Sequence, residues 1–223
     1  MSAAMQIPLA LPHRVALDGD DFFVSPSNLA AVEWIDRWPD WPGRLLVVAG
    51  PSGAGKSHLA AVWRKAAGAA LRPAAELAAE DLEWVRGGRP MAVEDCGDTL
   101  EPEREVLLFH MINAMREAGG SLLLTAAEAP AHWPIALPDL ASRLRAAPVA
   151  RIEAPDDSLM AALLVKQFND RQLRVGADVL GYLLPRIERS FAALNDAVDR
   201  LDAAALAEQR AITVPFARKV LGL

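Results

Sequence analysis

Cysteine is almost missing from this chain. Cys96 stands alone among 223 residues, which excludes an internal disulfide framework and fits a reducing compartment. Positive charge is in the minority, with 23 Lys and Arg against 29 Asp and Glu. The formal charge of −6 argues against a dedicated DNA-binding surface, and the local basic strip of Arg143, Arg145 and Arg151 is expected to face a nucleotide or a subunit rather than DNA. No apolar run approaches the ~20 residues that a membrane-spanning helix needs. The opening stretch MSAAMQIPLALPHR has no basic residue ahead of its apolar part and is interrupted by Pro8 and Pro12, so it does not read as a signal peptide. His58, His110 and His132 lack the spacing of metal ligands. A cytoplasmic protein is expected, long enough for one core and a small appended bundle.

What is present is a phosphate-binding loop. Residues 50–57 read GPSGAGKS, a full match to G-x-x-x-x-G-K-[ST]: Gly50, Pro51, Ser52, Gly53, Ala54, Gly55, Lys56 and Ser57. The apolar run Leu45–Ala49 before it suits a buried strand, and His58 to Trp63 after it continues as a helix. Glycines let the backbone wrap phosphates, while loop amides and the helix N-terminus hold negative charge. Lys56 would reach the β- and γ-phosphates, and the Ser57 hydroxyl would ligate Mg2+. ADP or ATP is the expected cofactor.

Along the chain, residues 1–20 are expected to form an extended tail. A helix starts near Ser27 or Asn28, carries Leu29, Val32 and Ile35, and ends around Trp38-Pro39. The stretch Ala69 to Ala92 contains helix-like segments around Ala74–Trp84 and a turn at Gly87-Gly88, and Met91 to Val93 is a strand ending in acids. Glu103–Glu117 is an amphipathic helix stopped by Gly119-Gly120. Ser121–Thr125 and Val149–Ile152 are further strands. From Asp156 onward strand signals cease, and apolar residues recur at helical spacing in 157–170, 177–187, 189–207 and 215–221. The pattern predicts an α/β core with a parallel sheet flanked by helices over 21–154, then a small all-α domain over 155–223. Trp34, Trp38 and Trp41 read as core packing, and Cys96 as a buried structural thiol.

In P-loop enzymes a second strand ends in acids that hold magnesium and position the attacking water. Here that strand closes with Glu94, the expected magnesium-side carboxylate, and Asp95, the expected water-side one. Further on, residues 137–144 read LPDLASRL. Together with residues 6–11 (QIPLAL), the phosphate loop, the Leu-Leu-Leu-Thr strand and the closing ITVPFARKVL, this segment resembles the DnaA branch of AAA+ P-loop NTPases. The resemblance is to the Hda-like regulators that inactivate DnaA, and it runs nearly end to end.

That resemblance implies an AAA+ core and helical lid, with roles at particular positions. Gln6, Ile7, Leu9 and Leu11 match the segment by which Hda-like proteins dock on the DNA polymerase III sliding clamp (beta subunit). Arg143 matches the arginine finger, acting in trans on nucleotide bound to DnaA. Arg189 matches the sensor-2 arginine at the opening of a lid helix, and Asn28 an adenine-side position that also suits a helix N-cap. His58 follows the loop into the nucleotide site.

One departure stands out. The family carries a polar sensor-1 residue two positions after the strand threonine, and here that position is Ala127, followed by Glu128. Bound nucleotide is therefore expected to be structural and intrinsic ATPase activity weak. No helix-turn-helix pattern follows the lid, which favours a regulator over an initiator and implies no sequence-specific DNA reading. A homo-oligomer is compatible with the family. The rival reading is a self-sufficient ATPase of the helicase-loader or transposition-helper type; a third is an initiator-type domain that assembles without the clamp.

Overall fold

The computed structural model describes residues 13–15, 21–98 and 100–223. It divides the chain into two compact units, one holding 28–153 and the other holding 13–15, 21–27 and 154–223. In the second unit β1 (His13–Val15) and β2 (Asp21–Phe23) pair antiparallel. The tail segment 6–11, with Gln6, Ile7, Leu9 and Leu11, lies outside the described residues.

The first unit begins with α1 (Leu29–Asp36), shorter than the sequence pattern suggested. Then come β3 (Leu45–Ala49), α2 (Lys56–Ala67), β4 (Ala70–Pro73), α3 (Ala79–Arg86) and β5 (Met91–Glu94). They are followed by α4 (Pro102–Ala118), β6 (Leu122–Ala126), α5 (Pro138–Arg145) and β7 (Val149–Arg151). The five strands β3–β7 form one parallel sheet in the order β4-β5-β6-β3-β7. Parallel sheets are covered on both faces, so their central strands read as continuous apolar runs. Leu45 to Ala49 and Leu122 to Leu124 are buried throughout and pair in register, Leu45 with Leu122 and Ala49 with Ala126.

Strand β4 was not foreseen, because the stretch around it read as helical. It is a four-residue edge strand whose residues are only partly buried, with Arg72 exposed, so it lacks the apolar run that marks its neighbours. The tryptophans pack as expected. Trp41 and Trp63 are buried with ring centroids 5.2 Å apart, and the Trp38 indole donates to Ser121 Oγ at 3.1 Å.

The second unit holds α6 (Asp157–Asp170), α7 (Ala177–Leu183), α8 (Phe191–Glu208) and α9 (Val214–Leu221). Met160, Leu164, Phe168, Leu183, Leu194, Val198, Leu201 and Phe216 are among the residues of its own core. Asp156, Ser190 and Thr213 accept the amides of Leu159, Ala193 and Phe216, so α6, α8 and α9 each start at a side-chain cap. No helix among the described residues is long and apolar enough to cross a membrane.

Candidate functional site

All five strands of the sheet run in one direction, so the segments leaving β3, β5 and β6 emerge along the same edge. In open parallel sheets that edge, outside the carboxyl ends of the strands, is where ligands bind. The phosphate loop leaves β3, the acids leave β5 and Ala127 leaves β6.

The loop is shaped by its glycines. The Gly50 amide donates to Ala126 O at 3.2 Å, and a Cβ on Gly50 would lie 2.5 Å from the Ile152 carbonyl oxygen, so only glycine fits this crossing. Gly53 and Gly55 have φ of +71° and +91°, the left-handed region that other residues enter at a cost. From Gly55 the chain turns directly into α2, which has no side-chain cap and no acid in its first turn. The first-turn amides of Lys56 and Ser57 therefore lie beside the loop, at the positive end of the helix dipole. Such a helix end suits an anion.

Lys56 is buried, and its Nζ donates to Gly50 O at 2.8 Å and Pro51 O at 2.9 Å. Burial lowers its pKa from the ordinary lysine value, and the charges of Asp95 and Glu94 oppose that shift without cancelling it. Ser57 and His58 are exposed.

At the end of β5 the two acids differ. Glu94 is partly buried, and its Oε1 is shielded from solvent without a hydrogen-bond partner among the described residues. A buried carboxylate oxygen left without a donor is costly, and a hard cation would satisfy it. The unpaired Glu94 Oε1 is therefore an acceptor of the kind a hard cation takes. Asp95 is exposed and has φ +58°, a left-handed conformation unusual outside glycine. Thr125 on β6 secures that turn: its Oγ1 accepts the Asp95 amide at 3.3 Å and its carbonyl accepts the Cys96 amide at 2.8 Å. Nothing in the residue pattern around Thr125 points to this role. The Cys96 thiol is buried, and burial, followed by the Asp95 charge, pushes its pKa well up, as suits an inert thiol.

Ala127 directly follows β6, whose Ala126 pairs with Ala49 at the start of the loop. A methyl side chain there offers no hydrogen bond. Glu128 beside it is exposed, and its carbonyl accepts the Trp133 indole N–H at 2.8 Å.

Arg143 lies in the last turn of α5, partly buried, with its guanidinium carbon 5.2 Å from the centre of the Phe109 ring. Among the described residues it has no carboxylate partner. Arg189 instead lies just ahead of α8, because Ser190 is that helix's cap; it is exposed and pairs with Asp157 at 2.8 Å within its own unit. Asn28 is buried at the N-cap position of α1, but its side chain does not cap the helix; its carbonyl accepts the amides of Ala31 and Val32.

Residues 156–221 match the family described as Hda, lid domain. Over nearly its whole length the chain is 25% identical to an uncharacterized protein of Haemophilus influenzae, an alignment covering 98% of this chain and 99% of that one. The structure is similar to domain III of the replication initiation protein DnaA from Thermotoga maritima, with a TM-score of 0.72 and 18% identity over 90% of this chain and 93% of the other. It is also similar to AMPPCP-bound DnaA from Aquifex aeolicus, at a TM-score of 0.64 and 17% identity over 80% of this chain and 62% of the other. The chain thus has a fold like that of DnaA domain III, with a five-stranded parallel sheet, and its residues 156–221 match the Hda lid domain.

Proposed function

We propose that this protein is a cytoplasmic regulator of bacterial replication initiation that promotes hydrolysis of ATP bound to DnaA. Its own nucleotide, ADP or ATP, sits in the cradle of Gly50 to Ser57 as a structural cofactor. Lys56 and the first-turn amides of α2 bind the phosphates. Ser57 and Glu94 hold Mg2+, which supplies charge neutralisation at those phosphates, and Asp95 stands on the water side. Asn28 and His58 line the nucleotide site, and Arg189 is the sensor-2 arginine of the lid. Without a polar group at Ala127, the γ-phosphate lacks one stabilising contact, so intrinsic turnover is weak.

Gln6, Ile7, Leu9 and Leu11 supply one polar and three apolar anchors for an exposed hydrophobic pocket on the sliding clamp. Held at the clamp, the protein presents Arg143 to the nucleotide site of DnaA. A guanidinium delivered by a neighbour stabilises charge on a transferring γ-phosphoryl group and accelerates hydrolysis by roughly 10³–10⁵-fold.

The observation that carries this reading is the pairing state of Arg143. It is set at the end of a packed helix, touches an aromatic ring, and has no acid among the described residues to neutralise it. Its counter-charge is expected on another molecule. The test is hydrolysis of labelled ATP preloaded on DnaA, with and without this protein and DNA-loaded clamp. Acceleration that requires the clamp, and that Gln6→Ala with Leu9→Ala removes, supports the reading. Absence of acceleration, with brisk turnover by this protein alone, points to the self-sufficient ATPase.

A further inference from the structure

The feature of α5 not explained by its own sequence is how it starts. Its N-cap position is Leu137, which has no side-chain acceptor, and Pro138 opens the helix. The two amides at this point, Ala136 and Leu137, are instead bound from another helix. Glu105 on α4 is only 3% exposed, and it accepts Ala136 N on Oε1 at 3.0 Å and Leu137 N on Oε2 at 2.7 Å. Both carboxylate oxygens are used, one per amide, across 31 and 32 residues of chain. Among the described residues Glu105 makes no ion pair, so its charge faces these amides at the positive end of α5.

The other end of α5 meets the same helix. Phe109, under the Arg143 guanidinium, is four residues beyond Glu105, one turn along the same face of α4. One turn of α4 therefore holds α5 just ahead of its first residue, through a carboxylate on the Ala136 and Leu137 amides, and at Arg143 through a ring. Two fixed points on a rigid eight-residue helix define where its last turn sits.

We infer that Glu105 is a positioning residue for Arg143: it sets the axial position of α5 and thereby where the guanidinium is presented. This rests on the reading of Arg143 as the finger. Glu105 touches no substrate in this scheme and acts only through α5. Nothing in the sequence distinguishes it from Glu103.

Glu105→Gln tests this, since it keeps the shape and places an NH2 donor against one of the two amides. Two readouts are needed. In the first, hydrolysis of DnaA-bound ATP is followed against the concentration of the regulator. The maximal rate should fall about 100-fold, the order expected for a displacement near 1 Å, while the half-maximal concentration stays unchanged. On an Arg143→Ala background the same change should cost nothing further. In the second, the NMR resonances of the Arg143 side chain, shifted by the Phe109 ring, should move toward free-arginine values in Glu105→Gln.

A merely structural role would lower the melting temperature and leave the Arg143 resonances and maximal rate of the folded fraction in place; that result overturns the inference. So does a shifted half-maximal concentration at an unchanged maximal rate, or a further loss on the Arg143→Ala background. If Glu105→Gln does not fold, Glu105→Asp replaces it, with an intermediate drop in rate and the same resonance shift expected, and wild-type values overturning. If the intact protein fails to accelerate hydrolysis, the finger reading fails, and the resonance measurement still decides whether Glu105 positions Arg143.

Discussion

Thr125 holds Asp95 in a left-handed turn: the threonine hydroxyl on β6 accepts the aspartate amide at 3.3 Å, and one residue later the threonine carbonyl accepts the Cys96 amide. The backbone at φ +58° is disfavoured for an L-residue by roughly 1–2 kcal/mol, and these two bonds are what offset it. Thr125→Val keeps the volume and removes the acceptor. It should lower the unfolding free energy by about 1 kcal/mol in urea titration and weaken the magnesium dependence of nucleotide binding, because the acids lose their anchor. Unchanged stability and magnesium response would show that the turn does not depend on Thr125.

At Gly50 a side chain has no space. The added methyl of Gly50→Ala would meet the Ile152 carbonyl at 2.5 Å, and that oxygen belongs to backbone that cannot swing away. A loss of roughly 1–3 kcal/mol is expected from overpacking, accompanied by loss of nucleotide binding measured with a fluorescent ADP analogue. A variant that binds normally would mean the loop adapts freely.

Ala127 should limit intrinsic chemistry. Restoring a polar group with Ala127→Asn places a donor beside the phosphate loop. Intrinsic ATP turnover should rise by ~10-fold or more over that of the native chain, since a single well-placed donor is commonly worth 10²–10³. Brisk turnover by the native protein, abolished by Lys56→Ala, would contradict the structural-cofactor role.

Asp156 makes the stability of the helical unit depend on pH. Burial opposes its ionisation, but hydrogen bonds from Ser158, the Leu159 amide and Ser25 outweigh burial, and its pKa lies below the ordinary value. A carboxylate with a lowered folded pKa stabilises fully above its unfolded pKa, near 4, and loses that contribution as pH falls through the folded value. Asp156→Ala should therefore cost about 1 kcal/mol at pH 7, and its gap from the native protein should narrow below about pH 4. A gap that is constant from pH 7 to pH 3 would remove ionisation from the explanation.

What was legible from the sequence follows the physics of each element. Leu45–Ala49 and Leu122–Leu124 announced themselves because strands buried on both faces need unbroken apolar runs. The phosphate loop was legible because its glycines answer to backbone geometry alone. Strand β4 was hidden: it is short, lies at an edge and exposes Arg72, so its residues carry no period. Arg189 was expected to open α8, yet Ser190 is the better cap acceptor and leaves the arginine in the preceding turn. Glu105 and Thr125 were not legible, because their roles exist only once distant segments meet.

The central claim is that Arg143 acts on a triphosphate held by another protein. The most direct measurement is single-turnover hydrolysis of ATP preloaded on DnaA, in the presence of DNA-loaded clamp, with native protein and with Arg143→Ala at matched, saturating concentrations. Arg143→Ala should bind clamp and nucleotide normally, melt at the native temperature, and lose at least ~10³-fold in the accelerated rate, with Arg143→Lys unable to restore it. Acceleration by Arg143→Ala equal to that of the native protein would contradict the account.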